Sequence, residues 1–271
     1  IIRAIHTTNE GVPSARLRGV QNAKGEWIGF VDGDDEIEQD MYELLLNNAI
    51  KYQADISHCG FQMIFEDERK NYFYNTKRFL EQDKFNSIKA LLEGEFIEPS
   101  LCNKLFNRKL FYNILHTNVM DTGIKINEDL LMNYLLFSEA NKTVFEDVCK
   151  YHYLIRSGSS SRKELNKYMI YDPIRVKEFI CSKATGELRE VTLKAYISTC
   201  VNVYNGLMLN TLKEFQKDER VVREKIVLNK GYIRLLCKKQ QLLAFMIMYI
   251  PFFYKPIYRF YAKYLLKSKY D

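Results

Sequence analysis

The chain has 271 residues, 47% apolar and 27% charged, a balance that excludes a disordered polypeptide and supports a sizeable core, as one large domain or one and a half. Its six cysteines (Cys59, Cys102, Cys149, Cys181, Cys200, Cys237) lie far apart with no Cys-x-x-Cys pair, and its four histidines are scattered. That excludes a zinc pattern or a disulfide framework and favours reduced thiols in a cytoplasmic compartment. The net charge of +6 averages unlike parts: residues 225–271 hold ten Lys/Arg against Asp271 alone, a local +9, so the remainder is −3 and one end suits an anionic surface.

Ile1-Ile2-Arg3-Ala4-Ile5 is an apolar, β-like opening with no Met and no signal-peptide pattern. Residues 1–6 therefore read as a strand, and the chain as one that starts inside a sheet, an N-terminal truncation. Thr7–Pro13 is a loop with Gly11 and Pro13 as breakers, and Ser14 is placed to cap a helix over Ala15–Ala23 that Lys24-Gly25 ends. Trp27, Ile28, Phe30 and Val31 form a short apolar strand pattern, followed by Asp32-Gly33-Asp34-Asp35 and a helix near Asp40–Tyr52. Strand and helix alternating at this spacing predict an α/β fold with a mixed, mostly parallel sheet flanked by helices. Asp55–Phe65 reads as a further strand with a charged tip at Glu66–Lys70. Phe85–Leu92 and Glu128–Ala140 have helical periodicity, and Leu101–Phe111 is a short apolar-basic segment. Tyr151–Ile155 alternates as a strand, closed by the Ser/Gly run at 157–161, and from Tyr168 the pattern is helical to the end. The expected organisation is an α/β unit over 1–160 and a helical C-terminal region over 161–271.

The acidic tetrapeptide is the chain's strongest chemical signal. Three carboxylates stand where a strand meets its loop, at the sheet edge where ligands of α/β folds bind. Adjacent carboxylates repel; Mg²⁺ or Mn²⁺ held by one or two of them relieves that repulsion and usually also holds substrate phosphates. A solvated Asp/Gly turn is the plain alternative. A calcium loop needs Gly at its sixth position, where Ile37 stands. Asp34 or Asp35 could also cap the helix that starts at Met41.

Two other segments join this loop. Arg16, one helix and one strand upstream, can bond a carboxylate or a diphosphate. Glu128-Asp129 opens a helix, where acids favour the macrodipole or serve as a general base; periodicity does not choose between these.

Asn9-Glu10-Gly11, Ala15-Arg16-Leu17, Gly25-Glu26-Trp27-Ile28 and Asp32-Gly33-Asp34-Asp35 follow one another in an order that resembles the family-2 glycosyltransferases of GT-A fold. Asn103-Lys104-Leu105-Phe106, Glu128-Asp129, and Tyr151 and Tyr153 ahead of Arg156 and Ser159 are similar to later motifs of that family, so the likeness covers about residues 1–160. The resemblance implies an inverting transfer of sugar from a nucleotide-diphosphate-sugar to a glycan or polyprenyl-linked acceptor, as in bacterial surface polysaccharide synthesis. It implies Asp34 and Asp32 on Mn²⁺ or Mg²⁺, and Asn9, Arg16, Asp32 and Arg156 around the nucleotide-sugar. It further implies Asp129 with Glu128 as the catalytic pair and Lys104 on the acceptor side. Leu17 stands where the family has Asn, Cys102 where an aromatic is common, and the family's opening nucleotide-binding strand has no counterpart.

Leu242–Leu266 mixes an apolar block, Leu242 to Pro251, with Lys255, Arg259 and Lys263 among Tyr and Phe. The block is too short to span a bilayer, and Pro251 and Pro256 are expected to break it. Aromatics with Lys/Arg suit the headgroup interface, so the tail is read as a monotopic attachment to an anionic membrane, peripheral at its inner face. No nucleic-acid partner is expected. The competing readings are a buried helical hairpin for the tail and, for the whole chain, a nucleotidyltransferase or a non-catalytic membrane-binding fragment.

Overall fold

The computed structural model describes residues 2–67, 69–72, 74–94, 97–117, 119–155, 165–210 and 213–265, and divides into two compact units, Ile1–Lys163 and Glu164–Asp271. In the first unit residues 2–11 are exposed and irregular, so the strand expected over residues 1–6 is not formed. Among the described residues no strand pairs with them, and an unpaired strand leaves its backbone groups to water with no gain over coil. Helix α1 (Val12–Asn22) follows Gly11, whose φ of +89° suits a residue without Cβ. Pro13 sits in the first turn, where a missing N–H costs nothing. The helix therefore starts at Val12, and Ser14, the expected cap, lies inside it.

Strands β1 (Trp27–Gly29) and β2 (Glu36–Ile37) flank the acidic loop, and α2 (Met41–Lys51) follows. Its N-cap position is Asp40, with no side-chain cap bond, so neither Asp34 nor Asp35 caps it. Then come β3 (Ile56–Phe65), β4 (Lys70–Tyr72), β5 (Phe79–Asp83), α3 (Lys84–Glu93), β6 (Lys104–Asn107), α4 (Tyr112–His116), α5 (Glu128–Glu139) and β7 (Lys142–Ile155). The sheet runs β1-β6-β3-β7-β2, with β4 on β3 and β5 on β7. It is mixed, as expected, but among the described pairings only β3–β7 is parallel. The reason is β6: the segment read only as apolar-basic inserts between β1 and β3, antiparallel to both. The two strands that the βαβ pattern would make neighbours still run the same way, one strand apart.

Beside the acidic loop, Met41 and Leu45 of α2 bury against Cys59 of β3, Cys102 and Leu105 at β6, and Tyr151 of β7. This small cluster fixes the loop's footing.

The second unit is helical: α6 (Lys167–Lys183), α7 (Leu188–Leu209), α8 (Gln216–Leu228), α9 (Lys238–Tyr249) and α10 (Pro251–Leu265). Asn166 caps α6 by accepting from the Tyr168 and Met169 N–H groups. Ile170, Ile197, Val201, Val222, Ile247 and Tyr254 are among the residues of its core. Of the two tail prolines, Pro251 breaks the block as expected, since α9 ends at Tyr249 and α10 opens on Pro251, whereas Pro256 lies inside α10 without breaking it. The first position tolerates Pro by construction, and packing of α10 on the core carries the second.

Candidate active site

At Gly29 the chain leaves the ladder. A Cβ there would lie 2.5 Å from the Tyr42 ring, so α2 lays that ring directly on the β1 backbone and any side chain at this position would have to displace it. Phe30 then packs edge-on against Phe106 at 6.2 Å, Val31 turns out to solvent, and the loop closes through the Asp35 N–H to the Asp32 carbonyl at 3.1 Å. The strand expected to reach Val31 thus ends two residues early.

The three carboxylates of the loop have different surroundings. Asp35 turns inward: its Oδ2 accepts from the Tyr151 hydroxyl at 2.6 Å and its Oδ1 from the Leu154 N–H at 3.0 Å. Burial raises its pKa, against the pull of those two bonds. The Tyr151 oxygen also accepts the Asp32 N–H at 3.3 Å, so β7 holds the loop at both ends. Asp35 is therefore a structural clamp. Asp35→Ala leaves a hydroxyl and an amide without their acceptor and is expected to lower stability by about 2 kcal/mol, measured as a shifted urea midpoint with an unchanged slope.

Asp34 is exposed and the Asp32 side chain is half-exposed. Arg16, in the second turn of α1, reaches Asp32 Oδ1 at 3.4 Å with one guanidinium nitrogen and Glu128 Oε1 at 3.3 Å with the other. One cation thereby joins three chain segments, each of which carried a motif in the sequence.

Glu128 and Asp129 form the first turn of α5. Asn127 precedes them at φ +67°, a left-handed conformation that Asn tolerates better than most residues. Asp129 Oδ1 accepts the Leu130 N–H at 2.7 Å. Burial, with the Glu128 charge next to it, pushes its carboxyl up to about 6, while Arg16 and Lys104 pull the other way.

Lys104, expected on the acceptor side, is fully buried, and this expectation is corrected. Its ammonium donates to the carbonyls of Glu98 (2.7 Å) and Ser100 and to Asn103 Oδ1 (3.0 Å). All three donors are used inside the protein, so the residue orders the 98–103 loop and no acceptor can touch it. Asn133 of α5 donates from Nδ2 to both Pro99 O and Asp129 O, tying that loop to the backbone of Asp129. Burial lowers the Lys104 pKa to about 8.

Asn9 Oδ1 accepts the Gly11 N–H at 3.1 Å and shapes the approach to α1. Arg156 and the Ser/Gly run at 157–161 lie outside the described residues. Sequence reasoning missed Tyr151 as a hydroxyl clamp, though its alternation with other aromatics marked one face of the strand as inward. It missed Asn133 altogether, since one Asn in an apolar helix gives no signal of its partners.

No three His, Cys, Asp or Glu side chains converge on one point among the described residues. The available donors, Asp34 and Asp32, are hard oxygens, and one or two carboxylates completed by substrate phosphates are the usual setting for Mg²⁺ or Mn²⁺. The donor set fits such an ion.

A mixed sheet with an acidic loop at a strand end, bridged by an arginine to a helix that opens on two further carboxylates, defines a GT-A-like domain. The chain matches the family model "Glycosyl transferase family 2" over residues 1–115. Over 172 residues it is 32% identical to the glycosyltransferase GlyA of Streptococcus pneumoniae serotype 4, covering 61% of this chain and 24% of that protein. Over 170 residues it is 35% identical to the glycosyltransferase EpsJ of Bacillus subtilis, covering 60% and 47%. The chain thus spans half or less of the length of these curated relatives. In fold it is similar to S. aureus TarS 1–349, solved with UDP-GlcNAc, with a TM-score of 0.72 at 16% identity over 96% of this chain and 74% of that one.

Proposed function

We propose that the first unit transfers a sugar, with inversion, from a nucleotide-diphosphate-sugar to a hydroxyl of a glycan or lipid-linked acceptor in surface polysaccharide synthesis. It does so with Mg²⁺ or Mn²⁺, at an anionic membrane surface. The observation that carries this reading is Arg16 between Asp32 and Glu128, with Asp129 next to them. A fold shared with TarS, whose structure contains UDP-GlcNAc, supports a nucleotide-sugar donor.

Asp34 and Asp32 would hold the ion, which supplies charge neutralisation on the departing diphosphate. Arg16, close to the same carboxylates, binds the diphosphate from the α1 side, with Asn9 and Arg156 as further donor contacts. Asp129 removes the acceptor's hydroxyl proton. The acceptor oxygen bonds to the anomeric carbon, the bond from that carbon to the diphosphate oxygen breaks, and its electron pair leaves with the nucleoside diphosphate. Glu128, paired with Arg16, keeps the guanidinium in place.

The test is release of nucleoside diphosphate across a panel of nucleotide-sugars, with and without chelator. Release is expected to stop on chelation, and Asp34→Ala is expected to lower kcat/KM by about 10³-fold, since an ion at such a site supplies several kcal/mol of transition-state stabilisation. Pyrophosphate in place of nucleoside diphosphate, or full activity in Asp34→Ala, overturns the reading.

A further inference from the structure

In the second unit, α9 buries Ala244 and Ile247, and α10 buries Tyr254 and Tyr258, in the same cluster. The opposite stripes are apolar too. On α9, Leu242, Phe245 and Tyr249 are exposed at i, i+3 and i+7; on α10, Phe253, Ile257 and Phe260 repeat the same face. Phe252, at the corner between the helices, is 86% exposed. Exposed apolar residues scattered singly are ordinary, whereas contiguous patches on two successive helices mark an interaction surface.

The charges choose the partner. Residues 238–265 contain no Asp or Glu. Lys238 stands one turn before Leu242 on the α9 stripe, and Lys263, exposed, one turn after Phe260 on the α10 stripe. Two of the basic residues expected at headgroups are committed elsewhere. Lys255 pairs with Glu219 at 3.0 Å, and Arg259 donates to the Met208 and Asn210 carbonyls at 2.8 and 2.7 Å. They lock α10 to its unit and leave Lys238 and Lys263 to the surface. A second copy docking face to face would set lysine against lysine with no acid to answer it. An anionic bilayer supplies both the negative charge and the apolar depth. Among the described residues no helix is long and apolar enough to cross a membrane, which fits helices lying in the interface.

We infer that α9 and α10 form an in-plane lipid-binding hairpin, with the Leu242–Phe245–Tyr249 and Phe253–Ile257–Phe260 stripes in the headgroup–acyl boundary and Lys238 and Lys263 on anionic headgroups. The inference rests on the membrane part of the proposed function and is independent of the sugar chemistry.

The experiment is sedimentation of the full chain with vesicles of phosphatidylcholine alone and of phosphatidylcholine mixed with phosphatidylglycerol. The chain is expected to bind the mixed vesicles and to dissociate in high salt. The triple change Phe245→Ser, Phe253→Ser and Phe260→Ser, all on exposed positions, is expected to lower partitioning about 100-fold. Lys238→Gln with Lys263→Gln is expected to lower it roughly 20-fold. Nucleoside-diphosphate release to a soluble acceptor by the triple variant should equal wild type, so its loss from both proteins would count against the transferase reading alone. Equal vesicle binding by wild type and triple variant overturns the hairpin. So does a wild-type chain that ignores the mixed vesicles and scatters light as a dimer that the triple change dissociates.

Discussion

Asp129→Asn is expected to lower kcat by about 10²–10⁴-fold, the range that a positioned general base contributes, while making the folded protein more stable at neutral pH. Both effects come from the same environment. Burial and the Glu128 charge push the Asp129 carboxyl from its ordinary 3.8 to about 6, close enough to neutrality for a base that is largely ionised at pH 7 yet still avid for a proton. Activity should therefore show an acidic limb near pH 6, falling as the carboxyl protonates.

The stability sign follows from the same values. The folded state holds this proton more tightly than the unfolded chain does, so between about pH 4 and pH 6 the native protein carries the extra proton. Stability is highest below that window and falls as pH rises through it. The loss is at most about 3 kcal/mol, and nearer 2 because the carboxyl keeps some access to water. Asparagine has no charge to bury, so the variant's advantage should be present at pH 7 and vanish below about pH 4. Urea unfolding at the two pH values reads the stability, and initial rates from pH 5 to 8 read the limb. An Asp129→Asn protein that keeps its rate removes Asp129 as the base.

The acidic loop was legible because strand ends and carboxylate clusters leave local signatures: an apolar run, then Asp32-Gly33-Asp34-Asp35. The pairing of Arg16 with that loop was also within reach, since one helix and one strand separate them. The division of labour among the three acids was not. Asp35 faces Tyr151 and Leu154, 116 and 119 residues away, and no periodicity encodes a contact that two distant strands decide. The largely antiparallel pairing escaped for a similar reason. Lys104–Asn107 is four residues long, too short for an alternation signal, yet it decides which strands touch. Lys104 misled most, because a lysine in a motif reads as surface chemistry, whereas here two main-chain carbonyls and one amide oxygen hold it inside.

Lys104→Met is expected to lower stability by about 3 kcal/mol and to move the acidic limb of activity above pH 6. Methionine fills the channel of the lysine stem but leaves the Glu98 and Ser100 carbonyls and Asn103 Oδ1 without their donor, each a cost of roughly 1–3 kcal/mol. Relief of a buried charge offsets part of that sum. The limb moves because Lys104 is one of the cations holding the Asp129 carboxyl down; without it, burial and Glu128 act with less opposition. Loop disorder alone would lower the folded fraction or the rate at every pH and leave the limb in place, so the pH profile separates a positioning and tuning role from a merely structural one. A second pH window checks the buried cation itself. With its pKa lowered to about 8 in the fold against 10.5 unfolded, Lys104 sheds its proton earlier in the native state, and wild-type stability should gain between pH 8 and about 10.5. Lys104→Met lacks that gain, so the stability gap between the two proteins should widen through this window; a constant gap would mean that the ammonium is not held in a low-dielectric site.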